Sequence, residues 1–387
     1  MRSTTRTVDR MTDATNHRLR TRPALEGVVS YKPGRPPQQA DGVDAFKMSS
    51  NENPYPPLPS VINVINHAVA HLNRYPGMDM HDLRTALATR WDVSPDHIIP
   101  GAGSSGVLQQ LVTATVETGK EVIYAWRSFE MYPILIALAG GRSVQIPLLA
   151  DGRHDLEAMA AAITPETSLI LLCTPNNPTG PIITHREAID FLERVPSDVL
   201  VAIDEAYIEF NRDPAAIDSS ALLRKYPNVI ILRTFSKAYG LAGLRIGYAV
   251  VSPASADTLT KTRLPFVVTD IAHDAAVASL AADEELTERV DTIVAERERV
   301  EAALIDMGWK FPHSEANFVW LPLGNATEAF VAACEAAHLT VRPFAGEGVR
   351  VSIDIPQAND TFLTVARQFA DQGLLPTDAS TPITRTN

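Results

Sequence analysis

Three apolar runs constrain this chain more than any other feature: Leu169-Ile170-Leu171-Leu172, Leu200-Val201-Ala202-Ile203 and Ile230-Ile231-Leu232. No polar residue interrupts them, which predicts strands covered on both faces rather than strands with one wet side. Further strands are expected at 98–99, 122–125, 144–146 and 246–251, with helical patterns between them, as at 107–116 and 186–194. Strand and helix in alternation predict an α/β fold with a mostly parallel seven-stranded sheet between helices. A charged, largely helical run at 276–307 then leads to a smaller α+β unit, with strands near 318–321, 340–341 and 349–353 and helices around 328–337 and 361–372. At 387 residues the chain exceeds what a single growing core accommodates. The expected division is a disordered leader at 1–24, an N-terminal arm with part of the small domain at 25–58, a large domain at 59–275, the small C-terminal domain at 276–375 and a loose tail at 376–387. The Pro-rich stretch 53–59 is expected to cross between the two domains near the active site.

Chemistry-bearing residues cluster just past the ends of the predicted strands, where open α/β sheets bind their ligands. The run at 230–232 leads to Thr234-Phe235-Ser236-Lys237-Ala238-Tyr239-Gly240, with Arg245 eight residues beyond the lysine. The chain has seven lysines against 27 arginines, so a lysine among small residues and a nearby cation stands out. Partial burial and a neighbouring positive charge favour the neutral amine that forms a Schiff base. Ser236 and Arg245 could hold a phosphate beside it. The run at 200–203 ends in Asp204-Glu205-Ala206-Tyr207, and the run at 169–172 leads into Thr174-Pro175-Asn176-Asn177-Pro178-Thr179-Gly180. A carboxylate at Asp204 would keep a pyridine nitrogen protonated, and Asn177 and Tyr207 would meet the ring's phenolic oxygen. These requirements converge on pyridoxal 5'-phosphate. Each residue also has an ordinary role: Asp204 could cap a helix and Asn177 could simply make a turn.

From residue 25 to about 372 the chain resembles the fold-type I pyridoxal-phosphate aminotransferases of the histidinol-phosphate aminotransferase group. The segments 175–180, 204–207 and 236–247 carry the likeness. The resemblance implies an imine between Lys237 and the cofactor, a ping-pong reaction between an amino acid and a 2-oxo acid, and a homodimer whose sites are completed by the neighbouring subunit. Two distant cysteines without a disulfide framework favour a reducing, cytoplasmic compartment. It also nominates Tyr75, in Arg74-Tyr75-Pro76, for the partner's cofactor phosphate. Asn317, in Ala316-Asn317-Phe318, falls near the substrate carboxylate, and Arg350, in Val349-Arg350-Val351, binds it. Arg342, before Pro343, is a second candidate cation. Within the group, segments 126–133 and 233–248 are most similar to actinobacterial aromatic amino acid (phenylalanine) aminotransferases. That implies action on phenylalanine, tyrosine and tryptophan with an acceptor such as 2-oxoglutarate. Histidinol-phosphate aminotransferase is the alternative, and a related decarboxylase ranks lower. The family sets an aromatic ring over the cofactor at Phe129, where histidinol-phosphate enzymes commonly have tyrosine.

Gly101-Ala102-Gly103-Ser104-Ser105-Gly106 matches G-x-G-x-x-G, but the next strand has its acid, Glu121, at the wrong end for a dinucleotide's ribose. The loop still opens a helix whose first N–H groups suit a phosphate, so Gly103, Ser104 and Ser105 become cofactor-phosphate candidates. His67 and His71 stand four apart without a third ligand, so no metal site is expected. Cys173 and Cys334 read as buried small hydrophobes. A net charge of −12 argues against a nucleic-acid surface, and no apolar stretch approaches membrane-spanning length. The first 22 residues, with six arginines and a second methionine at Met11, read as a leader or an early start.

Overall fold

The structure is a computed structural model that describes residues 21–25, 27–31, 34, 37 and 44–376. Most of the expected leader, the Met11 start and the tail from 377 lie outside the described residues. Short strand β1 (Phe46–Lys47) precedes a seven-stranded sheet made of β2 (Ile98–Gly101), β3 (Glu121–Trp126), β4 (Arg142–Pro147), β5 (Thr167–Cys173), β6 (Leu200–Asp204), β7 (Val229–Thr234) and β8 (Gly247–Val250). Their order is β2-β8-β7-β6-β5-β3-β4. Only β8 runs against the rest, pairing antiparallel with both β2 and β7.

The two-residue period of a strand explains why the long apolar runs carry no polar break. Ile170, Leu172, Val201, Ile203, Val229 and Ile231 enter the core on one face. Leu169, Leu171, Ala202, Ile230 and Leu232 enter a second core on the other. Helices cover both faces, among them Gly103–Thr115 after β2 and Met131–Ala139 after β3.

The remaining strands are β9 (Phe318–Leu321), β10 (Leu339–Thr340), β11 (Arg342–Phe344) and β12 (Gly348–Ser352). They form a three-stranded antiparallel sheet in the order β11-β12-β9, with β10 pairing parallel to β1. Helices Thr327–Ala336 and Pro356–Asp371 pack with this sheet. Two expectations change in detail. The single strand predicted at 340–341 is two short strands, the second of which takes in Arg342. The charged run at 276–307 is parts of two helices, Asp270–Leu280 and Asp283–Asp306, separated at Ala281 and Ala282. Among the described residues, no helix is long and apolar enough to cross a membrane.

Candidate active site

Because β5, β6 and β7 are parallel neighbours, their carboxyl ends lie side by side. Asp204 closes β6, Asn177 follows β5, and Lys237 follows β7. The Lys237 side-chain nitrogen, Nζ, donates to the Ser50 carbonyl at 3.1 Å and lies 5.6 Å from the Tyr207 ring centroid. Burial, followed by the charge of Arg350, pushes the Lys237 pKa down to about 7 despite the opposing pull of Glu52 and Asp204. A large share of this amine is therefore neutral at physiological pH, as a nucleophile or proton carrier requires.

Asp204 is buried, and burial raises its pKa to about 6. Its Oδ2 accepts from the Tyr132 hydroxyl at 3.0 Å, while Oδ1 has no hydrogen-bond partner. A buried carboxylate oxygen without a donor is costly, and the cation acting on this carboxylate is Lys237, past the end of the neighbouring strand. Tyr207 accepts from Asn51 Nδ2 at 3.0 Å and packs edge-on against Phe318 at 5.1 Å. Phe129 is half-buried and meets Tyr132 edge-to-face at 5.7 Å, next to the residue that holds Asp204.

Arg350 lies in β12, the central strand of its sheet, so it is no edge residue turned to water. Its Nη1 donates to Asn177 Oδ1 and its Nη2 to the Ser49 carbonyl at 2.8 Å, while Nε has no partner. Among the described residues no carboxylate pairs with it. Burial and then the charge of Arg342 oppose its protonation, with Tyr207 pulling the other way. Buried guanidinium groups of this kind are normally paired, so the arrangement is poised for an incoming carboxylate.

The other end of the cluster is an anion cradle. Gly103 takes a left-handed φ of +73°, and a Cβ there would stand 2.7 Å from Arg245 Nη2. At Gly247 a Cβ would stand 2.4 Å from the Ser104 nitrogen, so only glycine lets the backbone of β8 lie against this loop. Arg245 Nη1 donates to the Ala242 carbonyl at 3.0 Å and to Ser236 Oγ at 3.4 Å. Gly103, Ser104, Ser105, Ser236 and Arg245 thus gather around the first turn of helix Gly103–Thr115, where unpaired N–H groups attract anions.

Three further nominated residues have other surroundings than this cluster's open groups. Asn317 is fully buried, donates to the Asn51 carbonyl at 3.2 Å, and keeps an unpartnered Oδ1. Arg342 is engaged by Glu130 instead of presenting an uncompensated charge. Tyr75 is 81% exposed and stacks on Phe266 at 4.6 Å, so within one chain it does not join the cluster. His67 is exposed and its Nδ1 lies 2.7 Å from the Asn63 carbonyl. Among the described residues, no group of acids, histidines and cysteines could hold a metal. Both cysteines are buried and unpaired.

Sequence reasoning missed the hub of the site. Asn51, buried in a left-handed conformation (φ 51°), donates to Tyr207 and accepts from Asn317 and from Ser352 Oγ. Its neighbours Ser49 and Ser50 offer their carbonyls to Arg350 and Lys237. A run of small polar residues directly after the apolar-to-basic Phe46-Lys47-Met48 was the available signal. For Tyr132 the signal was helical spacing, three residues beyond Phe129.

The model of the family described as aminotransferase class I and II matches residues 43–363. The chain is 55% identical over 348 residues to the aromatic amino acid aminotransferase of Streptomyces avermitilis, covering 90% of this chain and 97% of that one. It is 54% identical over 348 residues to the protein of the same name from Thermobifida fusca, covering 90% and 96%. Among solved structures, it is similar to histidinol-phosphate aminotransferase from Sinorhizobium meliloti in complex with pyridoxal-5'-phosphate, with a TM-score of 0.83, 30% identity, and coverage of 91% and 98%.

Proposed function

The chain belongs to the class I and II aminotransferases, and from that footing we propose that it transfers the amino group of aromatic L-amino acids to a 2-oxo acid such as 2-oxoglutarate, using pyridoxal 5'-phosphate. The observation that carries the chemistry is the gathering of Lys237 Nζ and the open Asp204 Oδ1 at neighbouring strand ends, with the carboxylate-free Arg350 reaching in from β12 to Asn177 and acting on the lysine. The cofactor's groups fit what is found there. A ring nitrogen answers Asp204 Oδ1, a phosphate answers the cradle of Gly103, Ser104, Ser105, Ser236 and Arg245, and a ring oxygen answers Asn177 and Tyr207. When bound, the cofactor supplies a carbonyl that accepts the amino group and a ring that accepts electrons from the substrate.

The chain's own residues supply the rest. Asp204 presents a negative charge held in place by Tyr132. Lys237 Nζ, in large part neutral near pH 7, would take the proton from the substrate's α-carbon and deliver it to the cofactor's carbonyl-derived carbon instead of back to the α-carbon. Arg350 clamps the carboxylate and fixes the α-carbon relative to Nζ. Phe129 offers an apolar face with no hydroxyl. The aromatic preference follows the names of the relatives that are 47–55% identical.

Mixing holoenzyme with L-phenylalanine or L-histidinol phosphate, each alone, tests this reading through bleaching of the cofactor's visible band. A larger kcat/KM for phenylalanine supports it, and a decisive preference for histidinol phosphate overturns it. Release of carbon dioxide would move the chain to the decarboxylases.

We also propose a homodimer in the cytoplasm, with Tyr75 serving the neighbour's cofactor phosphate. Tyr75 and Phe266, both exposed, stack on one another at the surface, an apolar pair that a neighbouring subunit would cover. The proposed domain limits remain 59–275 and 276–375. Light scattering on wild type and on a Tyr75→Ala variant checks the assembly: a monomeric wild type would refute it.

A further inference from the structure

Two arginines oppose one another in the small sheet. The antiparallel register of β11 and β12 sets Arg342 directly across from Arg350. Directly opposed side chains have Cβ atoms about 4.5–5.5 Å apart, and like charges so placed repel. The chain treats the two cations unequally. Arg342 donates from Nε and Nη2 to Glu130 Oε2, at 3.2 and 2.5 Å, and its guanidinium lies 5.8 Å from the Tyr31 ring and 5.9 Å from the Phe344 ring. Arg350 receives only the neutral oxygens of Asn177 and Ser49.

Glu130 arrives from the other sheet. It directly follows Phe129 and precedes helix Met131–Ala139, 212 positions before its partner. A second ion pair, Arg127 with Glu347, joins the same loop to the turn between β11 and β12. Both pairs are mostly sheltered: the Arg342 and Glu130 side chains are 10% and 31% exposed. A group that claimed Arg342 would first have to displace a charge-assisted, two-bond contact.

We propose that Glu130 is a specificity-determining residue: by compensating Arg342 it leaves Arg350 as the uncompensated member of the pair, so the site takes one carboxylate charge and discriminates against a doubly charged phosphate. Selectivity of this kind comes from what the site withholds as much as from what it offers. The inference deepens the aminotransferase reading and rests on it only in taking Arg350 as the docking point for the substrate's anion.

The test uses two unreactive ligands with one phenylethyl body, 3-phenylpropionate and 2-phenylethyl phosphate, titrated calorimetrically into pyridoxal-phosphate holoenzyme at pH 8. Wild type should favour the carboxylate. Glu130→Gln should shift the ratio of the two Kd values about tenfold toward the phosphate, equivalent to about 1.4 kcal/mol. Glu130→Asp should retain the wild-type preference, and adding Arg342→Gln to Glu130→Gln should abolish the gain. An unchanged ratio in Glu130→Gln, or a gain that survives in the double variant, overturns the proposal. Failure of wild type to react with phenylalanine would instead remove the substrate reading while leaving these binding ratios interpretable.

Discussion

Asp204 and Glu205 are consecutive carboxylates at the end of one strand, yet they live under opposite conditions. Strand alternation turns them to opposite sides. Glu205 is fully buried, accepts from Arg233 Nε at 2.7 Å and from Ser219 Oγ, and Arg233 in turn lies over the Trp91 ring. Asp204 has one oxygen served by Tyr132 and one served by nothing. The satisfied acid braces the sheet, while the half-satisfied one is held ready for something the chain does not itself contain. The same contrast separates Arg233, which has its carboxylate, from Arg350, which lacks one. Unfilled valence in a buried charge, more than charge or burial alone, distinguishes the chemical side of this sheet end from the structural side.

The largest effect should come from the open side. Lys237→Ala should lower kcat by about 10⁴ or more and remove the cofactor's visible band, with the urea midpoint of the apoprotein unchanged or higher. Retained turnover would show that the neutral amine does not matter. Glu205→Gln should give the opposite signature. It removes the nearer of the two carboxylates on the partly buried Arg233, leaving Glu209 at 3.6 Å, and should cost about 1.5–3 kcal/mol of stability, measured by urea unfolding, while kcat per folded molecule stays within about threefold. A large kcat loss in a stable Glu205→Gln protein would erase the division between the two acids. Arg350→Lys keeps the charge but loses the planar fork, so KM for phenylalanine should rise about 10–100-fold with cofactor content intact.

The smallest effect sharpens the contrast through pH. The folded pKa of Asp204, about 6, lies above its ordinary value of 3.8. The stability it contributes is therefore present below pH 3.8 and lost as pH rises through 6, the reverse of a salt-bridged acid. In apoprotein at pH 7, Asp204→Asn should raise Tm by about 2 °C, and the gain should vanish toward pH 4. Lys237 behaves in the complementary sense: its pKa falls from 10.5 to about 7, so its contribution to stability grows as pH rises through that interval.

Local signals made the scaffold legible. Uninterrupted apolar runs specified strands buried on both faces, and the ligand-bearing residues fell just beyond their ends, because a parallel sheet collects its loops there. Lys237, Asp204, Tyr207 and Asn177 were visible for that reason, and Arg350 because a cation inside the apolar run Val349-Arg350-Val351 calls for a partner. Asn51 was not: its bond to Ser352 spans 301 positions and leaves no periodic trace in either neighbourhood. The Glu130–Arg342 pair was hidden in the same way, and Arg342 therefore read as a second candidate cation for the substrate. Pro343 obscured β11, since proline argues against a strand except at an edge, which is where β11 lies.

Residues 49–51 have a consequence for anyone who would redesign this catalyst. Three successive positions touch the amine, the carboxylate-seeking arginine and the ring-side phenol. Two of those contacts are made by main-chain oxygens, which no change of side chain can retune separately. Mutational exploration of substrate range is best spent on Phe129 and Glu130, whose side chains can vary without moving the keel to which everything else is fastened.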